Sequence, residues 1–255
     1  MAEARIYSYR MTYFAGTAPC VDNGTLTLAI CKRDMRRVIG NLFHEKNAPP
    51  IWFIGIVGTG LADRADFKAA HRNAGLQMPE AGDPFYIAKV TDVMLFEDYF
   101  ADGLKNRSDK IYVPADEENG PFWGVNASGS TMYFQHRKGC ATHDTAELQC
   151  RDWDWDYAKG VTPTKEGAQQ NRKHYVLFST EFTFLSKGEG EKIKGAFGDR
   201  LASGVGHQWF TLSEEGQVYR LFDDPARLCC DPHGKGNVPK ELLGPNGKSC
   251  GKDKA

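Results

Sequence analysis

The sequence predicts an α+β fold built around a mixed β-sheet, and three observations carry that prediction. Residues Ile51 to Val57 form an unbroken apolar run that stops at Gly58-Thr59-Gly60. This is the pattern of a strand buried on both faces and closed by a tight turn. A second apolar stretch, Tyr86 to Val93, follows at a separation that lets it return beside the first. The helical patterns are short and fall between or after such strands, so the helices flank the sheet.

Composition bounds the rest. A chain of 255 residues with 41% apolar content suits one large domain with an extension, here residues 1–225 followed by a polar, flexible tail at 226–255. The 32 basic and 33 acidic residues leave a formal charge of −1. There is thus no global field for a nucleic-acid backbone, although a local basic cluster could still hold one nucleotide. No apolar run reaches bilayer-spanning length and the first residues lack a signal-peptide pattern, which points to a cytoplasmic protein without a membrane partner. Seven cysteines suit reduced thiols better than a disulfide framework. Nothing in the residues specifies a cofactor or an oligomeric state.

Taken in order, Arg5 to Tyr13 is aromatic-rich and partly alternating, hence a strand. Gly16 to Gly24 is a loop of turn formers that ends in Asn23-Gly24. Thr25 to Cys31 alternates and forms a second strand; Lys32 to Arg37 begins a short basic helix, and Gly40 to Pro50 is a polar loop. After the central strand, the pattern around Asp66 to Asn73 is helical, and Gly82-Asp83-Pro84 turns the chain into Tyr86–Val93. Met94 to Phe100 reads as a short helix with Leu95, Phe96 and Tyr99 inward. Ile111–Pro114 is extended and Gly120–Gly124 is a turn. His174–Ser179 and Glu181–Leu185 are strands, Glu191 to Leu201 is helical, Gly206 to Phe210 is a polar-aromatic corner, and Ser213-Glu214-Glu215 starts a last helical piece.

Several residues carry possible chemistry. Arg10, Lys32 and His207 lie beside loops or strand ends, where sites form. Arg grips phosphate or a base edge with two donors, Lys32 supplies a point charge, and His207 can serve as acid or base near neutral pH. Cys20 and Cys31 are either nucleophiles activated by His207 or Lys32, or small buried hydrophobes. Cys140 with His143 and Cys150, and Cys229-Cys230 with His233, lack paired zinc-ligand spacing, so no metal site is assigned. Among Trp52, Trp123, Trp153, Trp155 and Trp209, the apolar neighbours of Trp52 place it in the core, whereas Trp209 at a polar corner can stack on a base. Trp153 and Trp155 sit among aspartates that would repel phosphate. Gly58-Thr59-Gly60 lacks the lysine and spacing of a phosphate-binding loop, but it can present one or two backbone N–H groups to a ligand or simply turn the strand.

The order of these segments resembles the nucleotide modification associated domain family, second type. The resemblance rests on Ile6-Tyr7-Ser8-Tyr9, Ala18-Pro19 with Asn23-Gly24, Leu26 to Ala29 with Cys31-Lys32, Trp52 with Gly58-Thr59-Gly60, and Tyr86 to Thr91 with Phe96 to Tyr99. Ile111 to Pro114, Val176 to Ser179 with Phe182, and Gly206-His207 with Phe210 complete it. Three features depart from the family pattern: Pro50-Ile51 replaces a usual Gly-Asp before the tryptophan, Gln208 stands where an arginine commonly follows Gly-His, and several loops are longer. The resemblance implies a bacterial or phage protein of DNA metabolism that recognises or processes modified nucleotides, with a nucleotide, a modified base or DNA as partner. By analogy it also implies a strongly curved, barrel-like sheet of the pseudouridine-synthase-associated (PUA-like) kind. The nucleotide-binding set becomes Arg10, Lys32, Thr59, Gly60, Ser179 and Trp209, with His207 and Cys31 as a catalytic pair. A base-modifying enzyme and a non-catalytic, defence-related interaction module are the alternatives.

Overall fold

A computed structural model describes residues 3–11, 19–22, 24–29, 32–73, 77–101, 107, 109–116, 120, 122–137, 174–204, 206–222 and 224–228. The first sheet contains β1 (Ala4–Met11), β4 (Ile51–Val57), β5 (Pro84–Lys89), β11 (Glu181–Phe184) and β12 (His207–Leu212), in the order β11-β5-β4-β1-β12. The second contains β2 (Cys20–Asp22), β3 (Thr25–Leu28), β6 (Asp92–Leu95) and β10 (Tyr175–Ser179), in the order β2-β3-β10-β6. A third holds β7 (Tyr112–Pro114), β8 (Phe122–Val125) and β9 (Thr131–His136). The helices are α1 (Arg33–Phe43), α2 (Thr59–Ala62), α3 (Ala65–Asn73), α4 (Phe96–Ala101), α5 (Lys187–Phe197) and α6 (Gly216–Tyr219). Strands β1 and β4 run parallel while their other neighbours are antiparallel, so the fold is α+β with a mixed central sheet.

The apolar run at β4 is explained by its surroundings. All seven of its residues are buried. Phe53 and Val57 point into one core with Tyr7, Tyr9, Met11 and Tyr86, while Trp52, Ile54 and Ile56 point into another with Ile193, Phe197 and Phe210. A strand covered on both faces has no polar side to alternate with. The predicted return strand pairs antiparallel with β4 and is bent into two pieces: β5 stays in the first sheet and β6 joins the second. Strands β11 and β10 follow the same bend and remain paired to β5 and β6. The Thr91 N–H donates to the Phe178 carbonyl at 2.9 Å and the Thr180 N–H to Thr91 Oγ1 at 3.1 Å, which holds the ladder through the corner. The described strands form no closed barrel, since β11 and β12 end the first sheet and β2 and β6 the second.

Several expected boundaries shift for identifiable reasons. The basic helix does not stop before Gly40; α1 runs through Gly40 and Asn41 to Phe43. Gly40 is required by proximity, because a Cβ there would lie 2.1 Å from the Tyr175 ring. The expected turn at Gly120–Gly124 is instead largely strand β8, paired with β9, and Gly206–Phe210 is extended into the edge strand β12. The Glu191–Leu201 helix starts earlier, where Ser186 and Glu189 form a capping box. The Asn23-Gly24 signal holds: Gly24 has φ 72° and Asp22 pairs with Thr25 across a hairpin. The Trp153–Trp155 segment, both Cys/His clusters and the tail beyond residue 228 lie outside the described residues. No described helix is long and apolar enough to cross a membrane.

The buried face of α4 carries a carboxyl group. Glu97 is 5% exposed, and its pKa rises from 4.5 to about 7, mainly through burial. Bonds from its own N–H and that of Val125 oppose this rise and neighbouring Asp98 adds to it. Between pH 4.5 and about 7 the folded protein therefore holds a proton that the unfolded chain has released, and stability falls as pH rises through that window. Glu97→Gln is expected to flatten this dependence and to raise stability at pH 8 by roughly 1–2 kcal/mol. Urea denaturation of both proteins at pH 5 and pH 8 checks it; an unchanged slope would show that Glu97 does not titrate with folding.

Candidate functional site

In the β1–β12 pair, Tyr9 lies opposite His207 and Tyr7 opposite Trp209. Residues directly opposite share a face, so these four rings form one layer at the edge of the first sheet, a floor in which Tyr7 and Tyr9 are buried and only His207 and Trp209 reach solvent. The rings of Tyr7 and His207 are 6.3 Å apart. Arg5, on the same face of β1, lays its guanidinium 4.7 Å from the Trp209 ring centre. Lys32 reaches in from the start of α1 and holds its Nζ 5.7 Å from the Tyr9 ring centre. The Tyr9 and Tyr86 hydroxyls are hydrogen-bonded at 2.6 Å, and the Tyr86 ring meets Phe53 edge-on, so the floor is anchored in the core.

Lys32 has φ 50° and ψ 42°, and it is the one non-glycine residue with positive φ among the described residues. That conformation costs a non-glycine residue roughly 1–2 kcal/mol. Backbone strain of this kind concentrates where a side chain is needed in one place. Trp209 is 55% exposed, and with Val38 it makes up the exposed large apolar side chains of the described residues.

Charge around the floor is uneven. Burial lowers the His207 pKa; the Asp34 carboxylate pulls it back up and the Lys32 ammonium pushes it further down. The imidazole is therefore neutral at neutral pH and can accept or donate a hydrogen bond. Asp34 itself is bridged by Arg33 at 3.4 Å and Arg37 at 3.5 Å, which leaves the start of α1 net positive. At the other end, burial raises the Tyr7 pKa, a hydrogen bond from Arg5 and the positive charge of that guanidinium oppose this, and the Glu45 carboxylate adds to it more weakly.

The structure thus brings Lys32, His207 and Trp209 together and places the other candidates elsewhere. Arg10 lies on the opposite face of β1, with Ile6 and Ser8, and its Nε is buried without a hydrogen-bond partner among the described residues. Thr59 and Gly60 begin α2 past the end of β4. There Thr59 lines an open groove of about 660 Å³ with Lys68, Arg72, Met78 and Glu80. From the β1 register, Gly58 is three residues beyond Gly55, the residue level with Tyr9 and His207. That separation is roughly 10 Å along the strand. Ser179 is fully buried at the β10–β11 bend, where its hydroxyl donates to the Glu181 carbonyl at 2.9 Å and accepts from the Glu181 N–H at 3.2 Å. Cys31 lies outside the described residues. Cys20 is buried beside the cation of Arg107, and Trp52 is a core residue, 0% exposed, whose indole N–H donates to Glu215 at 3.2 Å. Gln208 points away from the floor; with its amide nitrogen turned toward Leu201, it donates to that carbonyl at 2.8 Å.

Sequence reading alone missed Arg5, Tyr7 and Tyr9 as floor residues, although their spacing of two along one strand was the available signal. It also missed two polar clusters. In one, Lys89 is 2.9 Å from Glu215 and 3.6 Å from Glu181, and Tyr219 donates to Glu181 at 3.0 Å. Burial alone would lower the Lys89 pKa, but these carboxylates raise it, and the cluster fastens the α6 region to the sheet. In the other, Arg107, Asp109, Tyr99 and Thr27 meet in the interior. No group of three metal-ligating side chains occurs among the described residues. Compared with protein-family models, with curated proteins and with solved structures, the chain matches none.

Proposed function

We propose that the chain recognises or processes a nucleotide, selecting one with a modified base, on the floor formed by Tyr7, Tyr9, His207 and Trp209. The observation that carries this reading is the convergence of a strained lysine, a neutral histidine and an exposed tryptophan on one face of a rigid sheet. Lysine neutralises phosphate, histidine donates to it or takes a proton, and the indole stacks on the base. The modified base, the bacterial or phage setting, DNA as the source of the nucleotide and a cytoplasmic location come from the family resemblance. The bent ladder shared by two sheets supports the curvature that a PUA-like barrel would need. His207, held neutral, also supports a second reading in which it serves as the base for a Cys31 nucleophile.

A thermal-shift panel of natural and hypermodified nucleotides and short oligonucleotides tests both. A true ligand at one hundred times its Kd stabilises the fold by about 2.7 kcal/mol, and Lys32→Ala with His207→Ala should remove that gain. If no compound raises the melting temperature, the recognition reading fails. If a turnover assay finds activity that Cys31→Ser leaves intact, the Cys31 mechanism fails.

A further inference from the structure

We propose that the outer edge of β12 takes a further strand: an extended peptide segment with acidic side chains adds to the first sheet there through backbone hydrogen bonds. This goes beyond the nucleotide reading, because it uses the rim of the sheet rather than its ring-lined face. The direction of each backbone group follows from the pairing. The Arg5 N–H donates to the Pro50 carbonyl at 2.9 Å, and the Met11 carbonyl accepts from the Gly58 N–H at 2.9 Å. Arg5 and Met11, and with them Tyr7 and Tyr9, thus aim their backbone groups toward β4. Successive residues of a strand alternate in this direction, which turns Ala4, Ile6 and Ser8 toward β12. Their partners Leu212, Phe210 and Gln208 turn back toward them. The N–H and C=O groups of His207, Trp209 and Thr211 therefore point outward, and β12 ends the sheet with no further strand beside it among the described residues.

The other ends of the two larger sheets are covered. The turn Pro225–Leu228 packs against β11, α1 and α4 pack against β6, and Arg107 donates to the Cys20 and Asp22 carbonyls of β2. At β12 the turn Gly198–Arg200 and the residues after it lie over the back face instead. There Gln208 reaches the Leu201 carbonyl, and Ser8 opposite it accepts from the Ala202 N–H at 2.8 Å. Open edges are ordinarily guarded by lysine, proline or a bulge in the strand; His207–Leu212 has none of these. Its charges stand beside it: Arg5 stacks on Trp209 at 4.7 Å on one face and Arg200 on Phe210 at 4.7 Å on the other. The carboxylates set against them are Asp34, bridged by Arg33 and Arg37, Asp199, next to Arg200, and Glu45, which acts on Tyr7 more weakly than Arg5 does. With Lys32 added, the rim stays net positive. Two copies joined β12 to β12 would bring like charges to one seam, whereas an acidic strand neutralises them.

Fluorescence anisotropy with a labelled hexapeptide of alternating glutamate and valine tests this on the full chain. The controls are the lysine–valine peptide and a glutamate–valine copy N-methylated on every amide. The glutamate peptide should bind about tenfold or more tightly than the lysine peptide, and N-methylation should weaken it by about tenfold or more, since the backbone donors are gone. Thr211→Pro removes one outward N–H and leaves the bonds to β1 in place, a position where an edge strand tolerates proline. It should weaken the peptide about fivefold, the worth of roughly one hydrogen bond, while Thr211→Val should not. A melting curve verifies the proline variant; where it unfolds, the N-methyl comparison on the unaltered chain decides. Equal binding of the methylated and unmethylated peptides, or no binding of the glutamate peptide, would overturn the proposal. A dimer seen by analytical ultracentrifugation that Thr211→Pro dissolves would give the edge to a second copy and overturn the peptide assignment.

Discussion

Asp109→Ala is expected to destabilise the fold by about 3–5 kcal/mol, the cost of leaving a buried charge without its partner. Asp109 is 0% exposed and accepts from the Tyr99 hydroxyl at 2.7 Å and from Thr27. Arg107, 5% exposed, approaches it at 3.5 Å and also donates to Tyr99 at 3.2 Å and to Thr27 at 2.8 Å. Burial works against the Arg107 cation, but Cys20, Asp109 and Tyr99 raise its pKa, so it stays charged. The same cluster ties the Thr25 and Asp22 carbonyls of the β2–β3 hairpin to Arg107. Removing the carboxylate therefore leaves Arg107 with the more distant, partly exposed Asp22 carboxylate at 3.9 Å and takes the acceptor from two hydroxyls at once. By contrast, breaking the exposed pair of Arg220 and Glu214 is expected to cost under about 1 kcal/mol, since solvent screens it. Because the loss comes from the arginine left without Asp109, the double change Arg107→Met, Asp109→Leu should recover part of it. Guanidinium denaturation of the four proteins measures this. A loss below about 1 kcal/mol for Asp109→Ala would show that water reaches the cluster.

That cluster also marks where the sequence stops being legible. Charged residues are almost never fully buried, so nothing in the sequence marks Arg107, Asp109 and Lys110 as interior. No spacing rule separates a buried charge from a solvated one, because the partners Thr27, Tyr99 and Cys20 are distant in the chain. Arg36 is a second case: it stands in the basic run that begins α1, yet it is 0% exposed and donates to the Tyr175 carbonyl at 2.5 Å. The central strands were legible because burial on both faces leaves an unmixed apolar run, which is a local signal. Lys32, His207 and Trp209 were legible as chemistry-bearing residues beside loops. Their company was not, since the floor depends on which strand lies beside β1, and that pairing joins residues some two hundred positions apart.

Gly55→Ala is expected to destabilise the protein by about 3 kcal/mol, at the upper end of what overpacking a core costs, and to weaken the site with it. A Cβ at this position would lie 2.2 Å from the Tyr86 ring and 2.7 Å from Met11 Sδ. Tyr86 has nowhere to go: it is 0% exposed, its ring meets Phe53 at 5.9 Å and Phe184 at 5.7 Å, and its hydroxyl is bonded to Tyr9. If the ring is pushed aside, the bond to Tyr9 breaks, and Tyr9 is the ring over which Lys32 sits and the residue opposite His207. Gly60→Ala serves as the contrast, because a Cβ there meets nothing within 4 Å and the change is expected to be nearly neutral. As far as packing goes, the turn glycine that draws attention in the sequence is expected to tolerate a side chain, and the glycine inside the strand is not. Pairing Gly55→Ala with Tyr86→Leu should restore part of the stability by making room, but not the ligand affinity, since the hydroxyl that fixes Tyr9 is gone. Thermal melts of the single and double variants, with nucleotide binding measured in parallel, separate the two effects. Full recovery of binding in the double variant would show that the floor does not depend on the Tyr9–Tyr86 bond.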